Sequence, residues 1–219
     1  MSMEEILRII RETAIIPVFY QPEAETAKAI VDAAYAGGIR VFEFTNRGPK
    51  AEEVFAVLVD HVRQYKDVVL GIGTIMDDAT TERFIQLGAH FIVSPVMKPS
   101  MAGVCEKYQK LWIPGCATLT EIVRAREAGA TLIKIFPGSV LGPGFVKAVL
   151  PVIPDLNLMP TGGVEPTEKS LQEWFDAGVY AVGLGSQLLS KEIIQHHDWR
   201  KLTSTVETAM KIIQKIRQK

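Results

Sequence analysis

The sequence predicts a parallel α/β fold, a single (β/α)8 barrel with an N-terminal helix. Three observations carry this reading. Short apolar runs alternate with amphipathic stretches along the whole chain. A glycine-bearing terminator recurs at Ala36-Gly37-Gly38, Leu87-Gly88-Ala89, Ala128-Gly129-Ala130 and Ala177-Gly178-Val179, each followed within a few residues by a strand pattern. No linker, low-complexity segment or shift in composition divides the 219 residues, so one domain over 1–219 is expected.

The elements follow in order. Met-Ser-Met-Glu-Glu-Ile-Leu-Arg starts an acidic amphipathic helix and lacks the basic, apolar architecture of a signal peptide. Strands are expected at Ile15–Phe19, Arg40–Thr45, Val68–Gly73, Phe91–Ser94, Trp112–Pro114, Leu132–Phe136, Leu156–Pro160 and Ala181–Gly185. Helical periodicity occupies Glu23–Ala36, Ala51–Tyr65, Asp78–Leu87, Leu119–Ala128 and Glu168–Ala177, and Trp199 to Lys219 reads as a last helix packing back on the barrel. Eight β/α units in this length suit a compact TIM barrel. A doubly wound open sheet is the alternative, since periodicity does not show whether strand eight closes on strand one; against it, no strand leads into G-x-G-x-x-G.

Composition excludes more than it assigns. Hydrophobic residues make up 47% and charged residues 22%, enough for a sizeable core, and the net charge of −1 calls for neither nucleic acid nor an anionic membrane as partner. No segment approaches the ~20 apolar residues of a membrane span, so a cytoplasmic protein is expected. Cys105 and Cys116 match no metal spacing and no disulfide framework, and read as small buried hydrophobes. His196-His197-Asp198 lies in a polar stretch and reads as solvated loop; no metal is assigned.

In a barrel of this kind the C-terminal strand ends face the active site, which turns the strand order into a chemical inventory. Lys134 interrupts the apolar run Thr131 to Phe136, just before Pro137-Gly138. An ammonium there loses hydration, which favours the neutral amine and frees its lone pair to attack a carbonyl. The competing reading is a lysine that snorkels to water. Alternation along Val41-Phe42-Glu43-Phe44-Thr45 sets Phe42 and Phe44 against the outer helices and turns Glu43 and Thr45 inward. A buried carboxylate needs a partner and suits a proton shuttle; an ion pair with Arg47 or Lys134 that merely plugs the barrel is the alternative. The same parity puts Leu132, Lys134 and Phe136 on one face, so Lys134 and Glu43 meet near one mouth. Gly71-Ile72-Gly73-Thr74 and Pro160-Thr161-Gly162-Gly163 each deliver a hydroxyl to that mouth, although Thr74 taken alone reads as a loop cap. Gly162 and Gly163 after strand seven, with Gly185 and Ser186 after strand eight, form two adjacent glycine loops of the sort that bind phosphate.

With those residues in place, the chain resembles the 2-keto-3-deoxy-6-phosphogluconate (KDPG) and 4-hydroxy-2-oxoglutarate (KHG) aldolases, which are class I, metal-independent enzymes. The resemblance runs from Ile15-Ile16-Pro17-Val18 to Gly185-Ser186 and is carried by Glu43-Phe44-Thr45-Asn46-Arg47, Gly71-Ile72-Gly73-Thr74, Lys134-Ile135-Phe136-Pro137 and Pro160-Thr161-Gly162-Gly163. It implies that Lys134 forms the Schiff base and Glu43 is the general acid/base. It further implies that Arg47 and Thr74 hold the pyruvate carboxylate, with Thr161 near the imine, Phe136 over the pyruvyl group and Pro95 also on the substrate. Ser186 and Gly185, with the Gly162 and Gly163 amides, meet the phosphate. The resemblance implies no cofactor, a small 2-keto acid as partner and a homotrimeric assembly. The chain departs from the family after strand four, where Ser94-Pro95-Val96-Met97-Lys98 replaces Ser-Pro-Gly, and after strand five, at Cys116-Ala117-Thr118. Those changes lie where the distal part of the substrate is expected. Competing readings are a phosphate-binding isomerase or synthase without an imine, and a non-catalytic sugar-phosphate-binding barrel.

Overall fold

The structure, a computed structural model, describes residues 1–218. Helix α1 (Met3–Thr13) begins with a capping box between Ser2 and Glu5 and leads directly into β1 (Ile15–Phe19). The chain then runs α2 (Ala24–Ala36), β2 (Val41–Thr45), α3 (Ala51–His61), β3 (Val69–Gly73), α4 (Asp78–Leu87), β4 (Phe91–Val93), α5 (Pro99–Lys107), β5 (Leu111–Ile113) and β6 (Gly115–Cys116). It continues as α6 (Leu119–Glu127), β7 (Ile133–Ile135), α7 (Gly138–Val149), β8 (Leu158–Pro160), α8 (Glu168–Asp176), β9 (Val182–Leu184), α9 (Lys191–Gln195) and α10 (Trp199–Arg217). Lys219, the expected last residue of the closing helix, lies outside the described residues.

All strand pairings are parallel. Six strands pair in the order β5-β4-β3-β2-β1-β9, and three more as β6-β7-β8. β5 and β6 are one stretch of chain interrupted at Pro114, a residue with no N–H for the ladder. On the other side, a parallel bridge joins Thr161, just past β8, to Gly183 in β9, and Tyr180 N–H donates to Leu158 O at 2.8 Å. The expected open or closed sheet is therefore a curled parallel sheet with helices on its outside.

The side-chain parity is as expected. Phe42, Phe44, Leu70, Ile72, Ile92, Ile133, Ile135, Val182 and Leu184 face the helices in one large core. Val41, Val69, Phe91, Leu111, Leu132, Met159 and Ala181 form a second cluster on the opposite strand faces. Ile6, Ile9 and Ile10 of α1 belong to this second cluster, so α1 lies across the N-terminal strand ends and covers them. Tyr180 Oη donates to Leu7 O at 2.9 Å and fastens the helix there. Each of the four terminators carries a left-handed glycine: Gly38, Gly88, Gly129 and Gly178.

Several boundaries shift. The expected helix Ala51–Tyr65 ends at His61 and tightens into a 3-10 turn, Val62–Gln64. The seventh expected strand begins at Leu158 rather than Leu156, and the fifth, expected as Trp112–Pro114, is Leu111–Ile113 followed by Gly115–Cys116. Helices α5, α7 and α9 add to the expected elements. α7 contains Gly142 at φ 67°, followed by Pro143, which breaks its periodicity into two pieces.

Candidate active site

Glu43 reaches the interior because β2 alternates. Phe44 packs outward edge-on against Phe19, with ring centroids 5.3 Å apart, which leaves residue 43 no course but inward. Its carboxylate is fully buried. Lys134 arrives by the same rule on β7, between Ile133 and Ile135 of the outer core, and is 4% exposed. Lys134 Nζ lies 3.5 Å from Glu43 Oε1. The remaining ion pairs among the described residues lie on the surface or partly exposed, so this is the one pair taken out of water from both sides. Removing two charges from water costs several kcal/mol each, and their attraction offsets this only with good geometry. Snorkelling is therefore overturned for Lys134: its head is buried.

The pair leaves polar capacity unused. Glu43 Oε2 and Thr161 Oγ1 are buried and have no protein partner. Buried polar atoms are normally hydrogen-bonded, so the orphan oxygen on the carboxylate that faces the buried amine points to a place for a polar ligand or water. Phe136 stands over the amine, its ring centroid 5.2 Å from Lys134 Nζ. Thr45, expected to point inward with Glu43, is buried and donates to Phe19 O at 3.2 Å, so its hydroxyl is spent on β1.

Thr74 is held at φ 63°, an uncommon conformation for a β-branched residue. Its neighbours are pinned: Asn46 N–H donates to Gly73 O at 2.9 Å and Ile75 N–H to Val93 O at 3.3 Å. A strained residue between two fixed ones is a feature that clusters at functional sites.

Arg47 is exposed and lines a cleft of about 570 Å³ with Val18, Tyr20, Gln21, Gly185, Ser186 and Lys191. Among the described residues no aspartate or glutamate lines that cleft, and Arg47 and Lys191 give it positive charge. Arg47 and Ser186 are thus brought together, while Gly162 and Gly163 do not line it. Both of these glycines have positive φ, 87° and 72°, and a side chain on Gly163 would meet Ser139 Cα at 2.6 Å, so the loop after β8 packs tightly on the start of α7. Lys191, Tyr20 and Gln21 escaped the sequence reading. Lys191 opens a helix only five residues long, too short for any periodic signal.

The loop after β4 is built on Ser94, whose buried hydroxyl bonds the backbone of Val96. Pro95 is half-buried and Val96 is 41% exposed. Lys98 Nζ reaches Met76 O at 3.4 Å, spanning to the loop after β3. Cys116 is buried beside the mouth, and burial together with Glu121 pushes its thiol up to about 12; burial does the same for Cys105. Neither is a nucleophile near neutral pH. Among the described residues, no group of three His, Cys, Asp or Glu side chains converges as a metal site, and no helix is long and apolar enough to cross a membrane.

Comparison with known proteins places this geometry in context. Residues 6–205 match the profile of a family described as KDPG and KHG aldolase. The chain is 35% identical over 166 residues to a 2-dehydro-3-deoxy-6-phosphogalactonate aldolase of Escherichia coli (strain K12), covering 75% of this chain and 78% of that protein. It is 30% identical over 213 residues to a 2-dehydro-3-deoxy-phosphogluconate aldolase of Treponema pallidum (strain Nichols), covering 96% and 99%. A solved structure of KDPG aldolase from Legionella pneumophila, with pyruvate captured at low pH as a covalent carbinolamine intermediate, superimposes with a TM-score of 0.84 at 27% identity over 93% of this chain and 97% of that one.

Proposed function

Because the chain belongs to the KDPG and KHG aldolase family, we propose that it is a class I pyruvate aldolase in which Lys134 forms the Schiff base. It is a carbon–carbon lyase that reversibly cleaves a 2-keto-3-deoxy sugar acid. The leading substrates are 2-keto-3-deoxy-6-phosphogluconate, giving pyruvate and glyceraldehyde 3-phosphate, and 4-hydroxy-2-oxoglutarate, giving pyruvate and glyoxylate. The observation that carries this is the buried Lys134 amine, 3.5 Å from the Glu43 carboxylate with an unpartnered oxygen still free on that carboxylate.

Once Lys134 has passed its ammonium proton to solvent, its amine adds to the C2 ketone, and the resulting carbinolamine takes up a proton and loses water to give an iminium. Glu43 takes the proton of the C4 hydroxyl. The C3–C4 bond then breaks, its electron pair flows into the iminium to form an enamine, and C4 leaves as an aldehyde. The Glu43 carboxyl returns its proton to C3, and water releases pyruvate and regenerates the amine. Arg47 and Thr74 hold the carboxylate, for which the planar guanidinium fork is well matched. Thr161 Oγ1, unpartnered in the protein, bonds the carbinolamine oxygen or the hydrolytic water. Phe136 covers the pyruvyl group and Pro95 borders it. Gly162, Gly163, Gly185 and Ser186 receive the distal phosphate, beside the acid-free cleft.

The sheet reads as one closed (β/α)8 barrel domain over 1–219. The support is that β5 and β6 are consecutive around Pro114, and that Thr161 bridges Gly183 on the other side. The assembly reads as a homotrimer on the family resemblance, with exposed Met76, Val96 and Val140 beside the strand C-terminal ends as apolar surface for contact.

Incubation with pyruvate and borohydride, followed by peptide mass mapping, tests the central step. The expected result is a reduced adduct on Lys134; its absence overturns the Schiff-base assignment. A pyruvate-release assay over 2-keto-3-deoxy acids of both C4 configurations, with and without phosphate, identifies the aldehyde. Equal rates with and without phosphate would remove the role given to the two glycine loops.

A further inference from the structure

We infer that Gly73 is a positioning residue for the proton shuttle: the absence of a side chain at 73 is what lets Glu43 lie across β3 toward Lys134. This rests on the aldolase reading above and adds a residue to it.

Glu43 and Gly73 stand on neighbouring strands, with Glu43 paired to Gly71 and Thr45 to Gly73 in register. The Glu43 side chain runs diagonally past its own partner and over the next inward position. A Cβ placed on Gly73 would sit 1.9 Å from Glu43 Oε1, 2.6 Å from its carboxyl carbon and 2.9 Å from Cγ. The carboxylate thus occupies the volume that any other residue at 73 would fill. Glycine is not there for its backbone freedom, since Gly73 is not among the positive-φ positions.

Gly71, two residues earlier on the same face, supplies the contrast. A Cβ there would meet the Phe91 ring at 2.3 Å, and Phe91 is a fully buried member of the inner cluster. That ring is locked by its neighbours, so Gly71 serves packing. At Gly73 the obstacle is the far end of a side chain with rotatable bonds. A methyl group at 73 is accommodated by moving the carboxylate, by roughly 1.5 Å to reach ordinary contact. The oxygen that moves is the one facing Lys134 Nζ. The fold is kept and the shuttle is displaced.

The test uses the full chain and pyruvate in heavy water. Enamine formation and reprotonation through Glu43 exchange the pyruvate methyl hydrogens for deuterium, which NMR follows, while borohydride trapping reports imine formation alone. Gly73→Ala is expected to fold with an unchanged circular dichroism spectrum and to trap pyruvate on Lys134 within about twofold of wild type. Its methyl exchange is expected to fall about 100-fold, the typical effect of a 1 Å misplacement. In a Glu43→Gln background, Gly73→Ala is expected to cause no further loss, because the group it displaces is already disabled. Exchange and trapping both unchanged in Gly73→Ala would overturn the inference and leave the aldolase reading intact. A chain that fails to fold would also overturn it, since the backbone rather than the carboxylate would then have borne the strain. So would an equal loss in the Glu43→Gln background. Absence of exchange and trapping in the wild type would instead sink the aldolase reading itself.

Discussion

The buried Lys134–Glu43 pair predicts a non-additive stability cycle. At 3.5 Å and an effective dielectric of about 20, the attraction is about 5 kcal/mol. Desolvation cancels part of it, so the relevant quantity is the penalty of leaving one partner alone. For a pair with side chains 5% and 1% exposed, removing one partner costs about 3–5 kcal/mol. Lys134→Met is expected to lose about 3 kcal/mol or somewhat more, because it leaves the carboxylate in an apolar chamber. Glu43→Gln keeps the shape and loses the charge, at a cost of about 2 kcal/mol. The double variant has no charge left to solvate. It should fall short of the sum of the singles by about 3 kcal/mol. Urea unfolding followed by the fluorescence of Trp112, Trp174 and Trp199 measures all four corners, provided the slope m stays constant. Additivity within about 0.5 kcal/mol would mean that the two groups do not sense each other, and the proximity on which the proton shuttle depends would be refuted.

Lys191→Ala is expected to raise KM about tenfold for phosphorylated substrates and to leave phosphate-free ones unchanged, read by steady-state pyruvate release at low salt; equal effects on both would remove Lys191 from the anion cleft. His90 accepts the Leu70 N–H through Nδ1 at 3.0 Å, and burial holds its imidazole below the ordinary value, with Lys110 adding to the effect. The unfolded chain therefore takes up that proton first as pH falls. Stability present above about pH 6.5 should decline as pH drops from there toward the depressed folded value, and His90→Gln should flatten that decline in urea midpoints. Cys105 and Cys116, both pushed up to about 12 by burial, should react with a disulfide reagent at pH 8 only after denaturation; rapid labelling of the native chain would contradict their burial.

Much of this fold was legible because strands announce themselves by alternation and charged residues stand out against it. Lys134 and Glu43 were visible for that reason: each is a charge where parity demands an inward side chain. Helices α5 and α7 were harder to see, because Pro99, Gly103, Gly142, Pro143 and Gly144 blur the helical period with residues that usually mark loops. Pro114 splits a strand for want of one N–H, which a run of apolar letters does not reveal. The cleft pairing of Arg47 with Lys191 and the crossing of Glu43 over Gly73 depend on which strands become neighbours and in what register. Those are long-range facts, and local pattern carries no trace of them.

Helix α1 has a kinetic consequence. Ile6, Ile9 and Ile10 cover the N-terminal strand ends, so Lys134 is approached from the C-terminal ends of the strands. Whatever enters must leave by the same mouth, and the fragment tethered to Lys134 lies deeper than the fragment it releases. The aldehyde must therefore depart before pyruvate, and in the synthetic direction pyruvate must load first. An enzyme shaped this way follows a compulsory order, in which free pyruvate competes with the keto acid for Lys134.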